Sequence, residues 1–277
     1  MPVNRSAGKV ETGQESVSAA ELENVKTCAV QTRDLRVSIA GHEILKCITM
    51  DARKGEILSI IGPAGAGKTT FLRCLNRMVE LDEDVKVTGS MLLDGKSIYD
   101  PAVEVSILRR QMGTVFSVPI PLPMSIYDNL AFGLRLAYGR HGVSQETEWI
   151  ELALRAAYLW EEVKDRLREP ARNLSGGQQQ RLCLARTLTL QPKVLLLDEP
   201  CSGLDPISTG KIEEALQQLK ANLTVILVTN NVKQAARASD RTAFFLFGEL
   251  IEIEQTEKLF TTPGRQKTAD YISGRFG

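Results

Sequence analysis

One stretch, from Gly55 to about residue 78, limits this chain to a narrow set of folds. The apolar run 56–61 reads as a buried strand that leads into Gly62-Pro63-Ala64-Gly65-Ala66-Gly67-Lys68-Thr69-Thr70, after which a helix is expected from Lys68 to about Met78. This is the pattern G-x-x-x-x-G-K-[ST] in the strand–loop–helix setting it requires. Its glycines let backbone N–H groups turn inward on a phosphate, and the following helix adds its positive N-terminal end. Lys68 is expected to reach the β- and γ-phosphates of a nucleotide and the Thr69 hydroxyl to ligate Mg²⁺. The bland alternative, a glycine-rich turn that binds nothing, is disfavoured by the flanking strand and helix.

An α/β rhythm surrounds this loop. From Cys28 the spacing of Val30, Leu35, Val37 and Ile39 is strand-like. A helix over 175–190, a strand over Val194–Asp198, a helix over 211–220, a strand over 224–229, a helix over 232–238 and a strand over 243–247 are expected to complete the core. Strands alternating with helices argue for a mainly parallel sheet covered on both faces. Between residues 100 and 172 the apolar spacing is helical (Ile126, Leu130, Leu134; then Trp149, Leu152, Ala156). That stretch is read as an inserted helical subdomain, reached through the extended 113–116 and the Pro-rich 118–124. Residues 1–24, rich in Ser, Gly and Glu, are expected to be a disordered extension, with the folded domain running over 28–277.

Composition removes several classes of function. Lys and Arg number 34, as do Asp and Glu, so the formal net charge of +0 leaves no electrostatic footprint for nucleic acid or an anionic membrane. No apolar run approaches the roughly 18–20 residues of a spanning helix, and residues 1–24 lack a signal-peptide stretch, so a cytosolic chain is expected. The 5 cysteines (Cys28, Cys47, Cys74, Cys183, Cys201) are scattered and are read as reduced thiols packed like small apolar residues.

Two further motifs carry chemistry. Asp198 and Glu199 end an apolar strand. Beside a phosphate loop, Asp198 is expected to be the outer Mg²⁺ contact and Glu199 the base that polarises attacking water. Ser175-Gly176-Gly177-Gln178 has the S-x-x-Q spacing of a capping box. Its paired glycines also bare the N–H groups of a helix start to an anion. One chain thus holds two anion-ready helix ends, and one nucleotide can be gripped by both if two chains pair head to tail.

Taken together, the string LSGGQQQR over 174–181, the phosphate loop, the acidic strand end and Ser202-Gly203-Leu204-Asp205 resemble the ATP-binding subunit of ABC transporters. The strings 123–129, 199–210, 234–237 and 270–277 look like the ATPase of bacterial high-affinity phosphate importers. The resemblance implies a P-loop NTPase core of ABC type, with an N-terminal antiparallel β part and the helical insertion. It implies ATP and Mg²⁺ as ligands and a homodimer of ATPase chains beneath two membrane permease subunits. An extracytoplasmic phosphate-binding protein would feed them, with this chain on the cytoplasmic face of the inner membrane. Ser175, Gly176, Gly177 and Gln178 would act on the partner's ATP, Asp205 would link the two sites, and the segment around 119–130 would receive the permeases.

Three positions depart from the family pattern. Ser117 stands where Gln is expected as a metal and water ligand, Asn230 where His is expected, and Ile39 where an aromatic would stack on adenine. Ser117 must reach further, Asn230 cannot carry a positive charge, and Ile39 packs without the stacking term. Lower turnover is the expectation, set against a subfamily in which Ser and Asn serve adequately because several polar groups donate equivalent hydrogen bonds. The alternatives are a weakly hydrolysing subunit that pairs with an intact ATPase, or an importer ATPase for another cargo. A soluble DNA-repair or translation ATPase would need a coiled coil or tandem unit, for which 277 residues leave no room.

Overall fold

The computed structural model describes residues 27–139 and 145–275; the expected disordered extension over 1–24 lies outside them. The chain opens with a long hairpin, β1 (Cys28–Ile39) and β2 (His42–Arg53), followed by β3 (Ile57–Ile61) and helix α1 (Lys68–Leu75). Next come β4 (Val85–Leu93), the short β5 (Lys96–Ser97), α2 (Val105–Gln111) and β6 (Met112–Val115). The helical part follows with α3 (Ile126–Tyr138), α4 (Glu146–Ala156), α5 (Trp160–Val163) and α6 (Gly176–Leu188). After β7 (Val194–Asp198), α7 (Pro206–Leu219), β8 (Thr224–Val228), α8 (Val232–Ala238) and β9 (Arg241–Leu246), the chain ends with β10 (Glu249–Gln255), α9 (Thr256–Thr261) and α10 (Gln266–Ile272).

Two sheets result. β2-β1-β4-β5 form a four-stranded antiparallel sheet, the N-terminal antiparallel part. β10-β9-β3-β8-β7-β6 form a six-stranded sheet that is parallel throughout except for β10. Because side chains alternate across a strand, each central strand feeds two cores. Leu58, Ile60, Leu196, Ile226 and Val228 pack with α1 and the antiparallel sheet. Ile57, Leu195, Leu197, Val225 and Leu227 pack against the helical segment and α6–α7. Double coverage is why these strands read as unbroken apolar runs.

Several boundaries move. β6 lies inside the stretch 100–172 but pairs with β7 as an edge strand of the main sheet, so the helical part begins only beyond it. α7 starts at Pro206 rather than 211, because Asp205 caps it and Pro at the first helical position is pre-shaped for a helix. β10 and the two last helices lie beyond 247, where no core element was expected. The side chains of Cys28, Cys74 and Cys183 are buried, but Cys47 is exposed, with Sγ 3.1 Å from Asp34 Oδ1, so the reading of all five as packed thiols fails there.

Candidate functional site

The phosphate loop leaves β3 and enters α1 at the carboxyl edge of the parallel strands, where open α/β sheets hold ligands. Gly62 has φ of 150°, and a Cβ there would collide with the Phe245 carbonyl oxygen of β9. Gly67 has φ of 94°, and a Cβ would stand 2.6 Å from Leu45 Cδ2 of β2. Neither site admits a side chain, so the loop is clamped between both sheets. Pro63, Ala64, Gly65 and Ala66 complete the turn, with Ala66 N–H donating to the Pro63 carbonyl at 3.2 Å, and Thr70 lies in the first turn of α1.

Lys68 is buried and its Nζ donates to the Gly62 and Pro63 carbonyls, both at 2.8 Å. Burial holds its pKa below the ordinary lysine value, against the pull of Glu199 and Asp198. Thr69 Oγ1 donates to Asp198 Oδ1 at 3.0 Å, bringing α1 and β7 together. Burial also raises the Asp198 carboxyl, against the Thr69 hydrogen bond and the Lys68 charge. Glu199 sits just past β7 with a left-handed φ of 49°, a conformation that costs a non-glycine residue about 1–3 kcal/mol. Its N–H donates to the Val228 carbonyl at 2.8 Å, and its Oε1 accepts from Asn230 Nδ2.

The three departures lie on different elements. Val115 pairs with Leu197, the last pairing of β6, and Ser117 lies on the bend that follows the strand. Asn230 follows β8, whose Val228 pairs with Asp198. Ile39 is half-buried at the end of β1, paired with His42 across the hairpin and packed on the core.

The second helix start is built from other elements. Ser175 Oγ accepts from Gln178 N–H, and Gln178 Oε1 accepts from Ser175 N–H at 3.0 Å, a reciprocal capping box. The two glycines differ. Gly176 is exposed, whereas Gly177 is buried and a Cβ on it would collide with Ser208 Oγ of α7. Only Gly176 therefore opens the helix start, and Gly177 is there for close helix packing, which corrects the reading of two bared glycines. Asp205 caps α7, accepting from Ile207 and Ser208 N–H groups, each at 2.9 Å, and from Ser208 Oγ at 2.6 Å.

Two structural residues escaped the sequence reading. Tyr271 of α10 stacks on Phe244 at 4.8 Å and hydrogen-bonds the Gly62 backbone, tying the chain's last helix to the phosphate loop. Asn129, buried in α3, holds the Pro-rich segment through its bonds with Leu122 and Ser125. A buried asparagine inside an otherwise apolar helical face was the available signal. That segment and α3 expose Met124, Phe132 and Leu136, which with Asp128 and Arg135 line a surface hollow of about 470 Å³.

This assembly has known counterparts. Residues 45–202 match the family model described as ABC transporter. The chain is 51% identical over 257 residues to "Phosphate import ATP-binding protein PstB 1" of Synechococcus sp. (strain JA-3-3Ab), covering 90% of this chain and 92% of that one. It is 50% identical over 259 residues to "Phosphate import ATP-binding protein PstB" of Pseudoalteromonas translucida (strain TAC 125), covering 93% and 94%. Among solved structures it is similar to cbiO1 from Clostridium perfringens, part of the ABC transporter complex cbiONQ. There the TM-score is 0.75 at 25% identity, with 90% of this chain and 97% of that one covered. It is also similar to a bacterial Atm1-family ABC exporter with ATP bound, at the same TM-score of 0.75 and 25% identity, over 91% of this chain and 42% of that one. A phosphate loop, an acidic strand end and a second capped helix start in one doubly covered sheet, with these relatives, make the chain a member of the ABC transporter family, in the branch of the phosphate import ATP-binding proteins.

Proposed function

We propose that this chain is the ATP-binding subunit of an importer of inorganic phosphate and couples ATP hydrolysis at a homodimer interface to uptake. The observation that carries this reading is the convergence of Lys68, Thr69, Asp198, Glu199 and Asn230 at one sheet edge, while Ser175 and Gly176 form a separate open helix start. The named activity of the relatives supports the cargo. No residue described here reads the transported molecule.

The site suits Mg²⁺. The Thr69 hydroxyl and the Asp198 carboxylate meet at 3.0 Å and offer only oxygen donors, the set a hard cation takes. Thr69, Asp198 and Ser117 would hold the ion, which when bound neutralises charge on the β- and γ-phosphates. Lys68 and the loop amides grip and orient the phosphates. Glu199 accepts the proton of the attacking water, aimed by Asn230. Ser175, Gly176 and Gln178 of one chain close on the nucleotide held by its mate, Asp205 links the two sites, and Ile39 packs on the base. Asn230 supplies a hydrogen bond but no positive charge, so turnover is lower than in a chain with Gln at 117 and His at 230.

Among the described residues no helix is long and apolar enough to cross a membrane. The apolar hollow at Met124, Phe132 and Leu136 supports docking to two membrane permeases at the cytoplasmic face, fed by an extracytoplasmic phosphate-binding protein. In a sizing experiment the Glu199→Gln chain is expected to dimerise with ATP and magnesium; a monomer under those conditions would sink the reading.

A further inference from the structure

Among the described residues, the most heavily engaged carboxylate lies away from the nucleotide loop. Glu162, on the short α5, accepts Arg181 Nη1 at 2.7 Å and Lys211 Nζ at 2.6 Å on Oε1. It accepts Gln178 Nε2 at 2.8 Å and Arg181 Nη2 at 3.1 Å on Oε2. Arg181 and Gln178 belong to α6, the helix that Ser175 caps; Lys211 belongs to α7, the helix that Asp205 caps. The Arg181 side chain is 3% exposed, so its charge depends on this carboxylate, and its Nε also donates to the Gly177 carbonyl at 3.3 Å.

The geometry constrains more than stability. With its amide nitrogen donating to Glu162, Gln178 must present Oε1 to the Ser175 N–H, which is the orientation the capping box needs. Lys211 ties the same carboxylate to α7 about six residues past Asp205, and Gly177 against Ser208 closes the other end of the contact. The two helix starts are thereby locked to one another through a single group.

We propose that Glu162 is a positioning residue that sets the Ser175 and Asp205 helix starts as one rigid face toward the nucleotide held by the partner chain. The inference rests on the head-to-tail dimer proposed above. It predicts an effect on the partner's site and none on the chain's own cradle, because Lys68 and Thr69 have no part in this network.

The test uses the full chain carrying Glu199→Gln, with ATP-driven dimerisation followed by sedimentation and binding of a fluorescent ATP analogue measured on the dilute monomer. Glu162→Gln and the milder Lys211→Met are each expected to weaken the ATP-dependent dimer about tenfold, within the range of coupling changes seen for indirect residues. Analogue binding to the monomer should stay unchanged, and Lys211→Arg should restore dimerisation. Because Lys211 is partly exposed, that variant should fold even if Glu162→Gln does not. Undiminished dimerisation of a folded Lys211→Met chain overturns the inference, as does a parallel loss of analogue binding. A parent that stays monomeric overturns the sandwich itself and this inference with it.

Discussion

Asn230 Nδ2 donates to Glu199 Oε1, so the carboxylate at the end of β7 is aimed by the residue that follows the neighbouring strand β8. Glu199 is further fixed by its left-handed backbone and by its N–H bond to Val228. The carboxylate is thus held in place, but by a neutral partner.

Replacing that partner should raise turnover. A well-placed polar group in such sites is worth on the order of 10²–10³ in rate. Asn230→His and Ser117→Gln, assayed by phosphate release with the membrane partners present, are each expected to recover at least about tenfold of it. If neither variant is faster, the site is not handicapped and Ser and Asn serve adequately.

Gly177→Ala should destabilise the chain. The new methyl would collide with Ser208 Oγ and stand 2.6 Å from its Cβ. Overpacking of this kind costs about 1–3 kcal/mol, readable in a denaturant melt. Ser208→Gly removes both atoms, so the double variant should be closer to the parent than the sum of the two changes.

Asp198→Asn should stabilise the nucleotide-free chain while abolishing hydrolysis. Burial raises the folded-state pKa of Asp198 above its ordinary value of 3.8, so the ionised form costs stability at neutral pH. Asparagine keeps an acceptor for Thr69 without the charge. The gain in Tm should be largest near pH 7 and fade as the pH falls toward 3.8, where the parent's own carboxyl protonates. A variant less stable than the parent at pH 7 would contradict this.

Glu162 should leave the opposite signature. Desolvation pushes its carboxyl up, but the bonds from Arg181, Lys211 and Gln178 outweigh that and hold it at about 2, against an ordinary 4.5. A depressed folded-state pKa adds stability that is complete above 4.5 and is lost as the pH falls toward 2. Thermal melts across this interval should fall steeply for the parent and more gently for Glu162→Gln.

Leu136→Glu should uncouple transport from ATP binding. Leu136 is 78% exposed on α3, beside Phe132 at 46%. Exposed apolar groups gathered round a hollow mark a docking face. The variant should still form the ATP dimer in solution yet lose association with the permeases in a pull-down; retained association would count against this face.

Much of the design could be read directly. The phosphate loop, the acidic strand end and the capping box are contiguous, and each is recognised by chemistry that acts within a few residues. Apolar runs at 56–61 and 194–198 identified strands buried on both faces, since each alternate side chain meets a different core. The start of α7 was also within reach, because Asp205-Pro206 is itself a helix-start signal. Residues 249–272 were missed, since an edge strand with half-exposed faces and two short helices leave a weak periodic trace.

What the linear chain determined by itself is the set of local devices: which glycines can cradle a phosphate, which carboxylates end a strand, which serine starts a helix. Their mutual placement was decided only in three dimensions. Pairing Val228 with Asp198 lets Asn230 meet Glu199, a hydrogen bond spans Thr69 and Asp198, and one carboxylate gathers Gln178, Arg181 and Lys211. These relationships depend on strand order and helix packing across long separations, and no local pattern of residues encodes them.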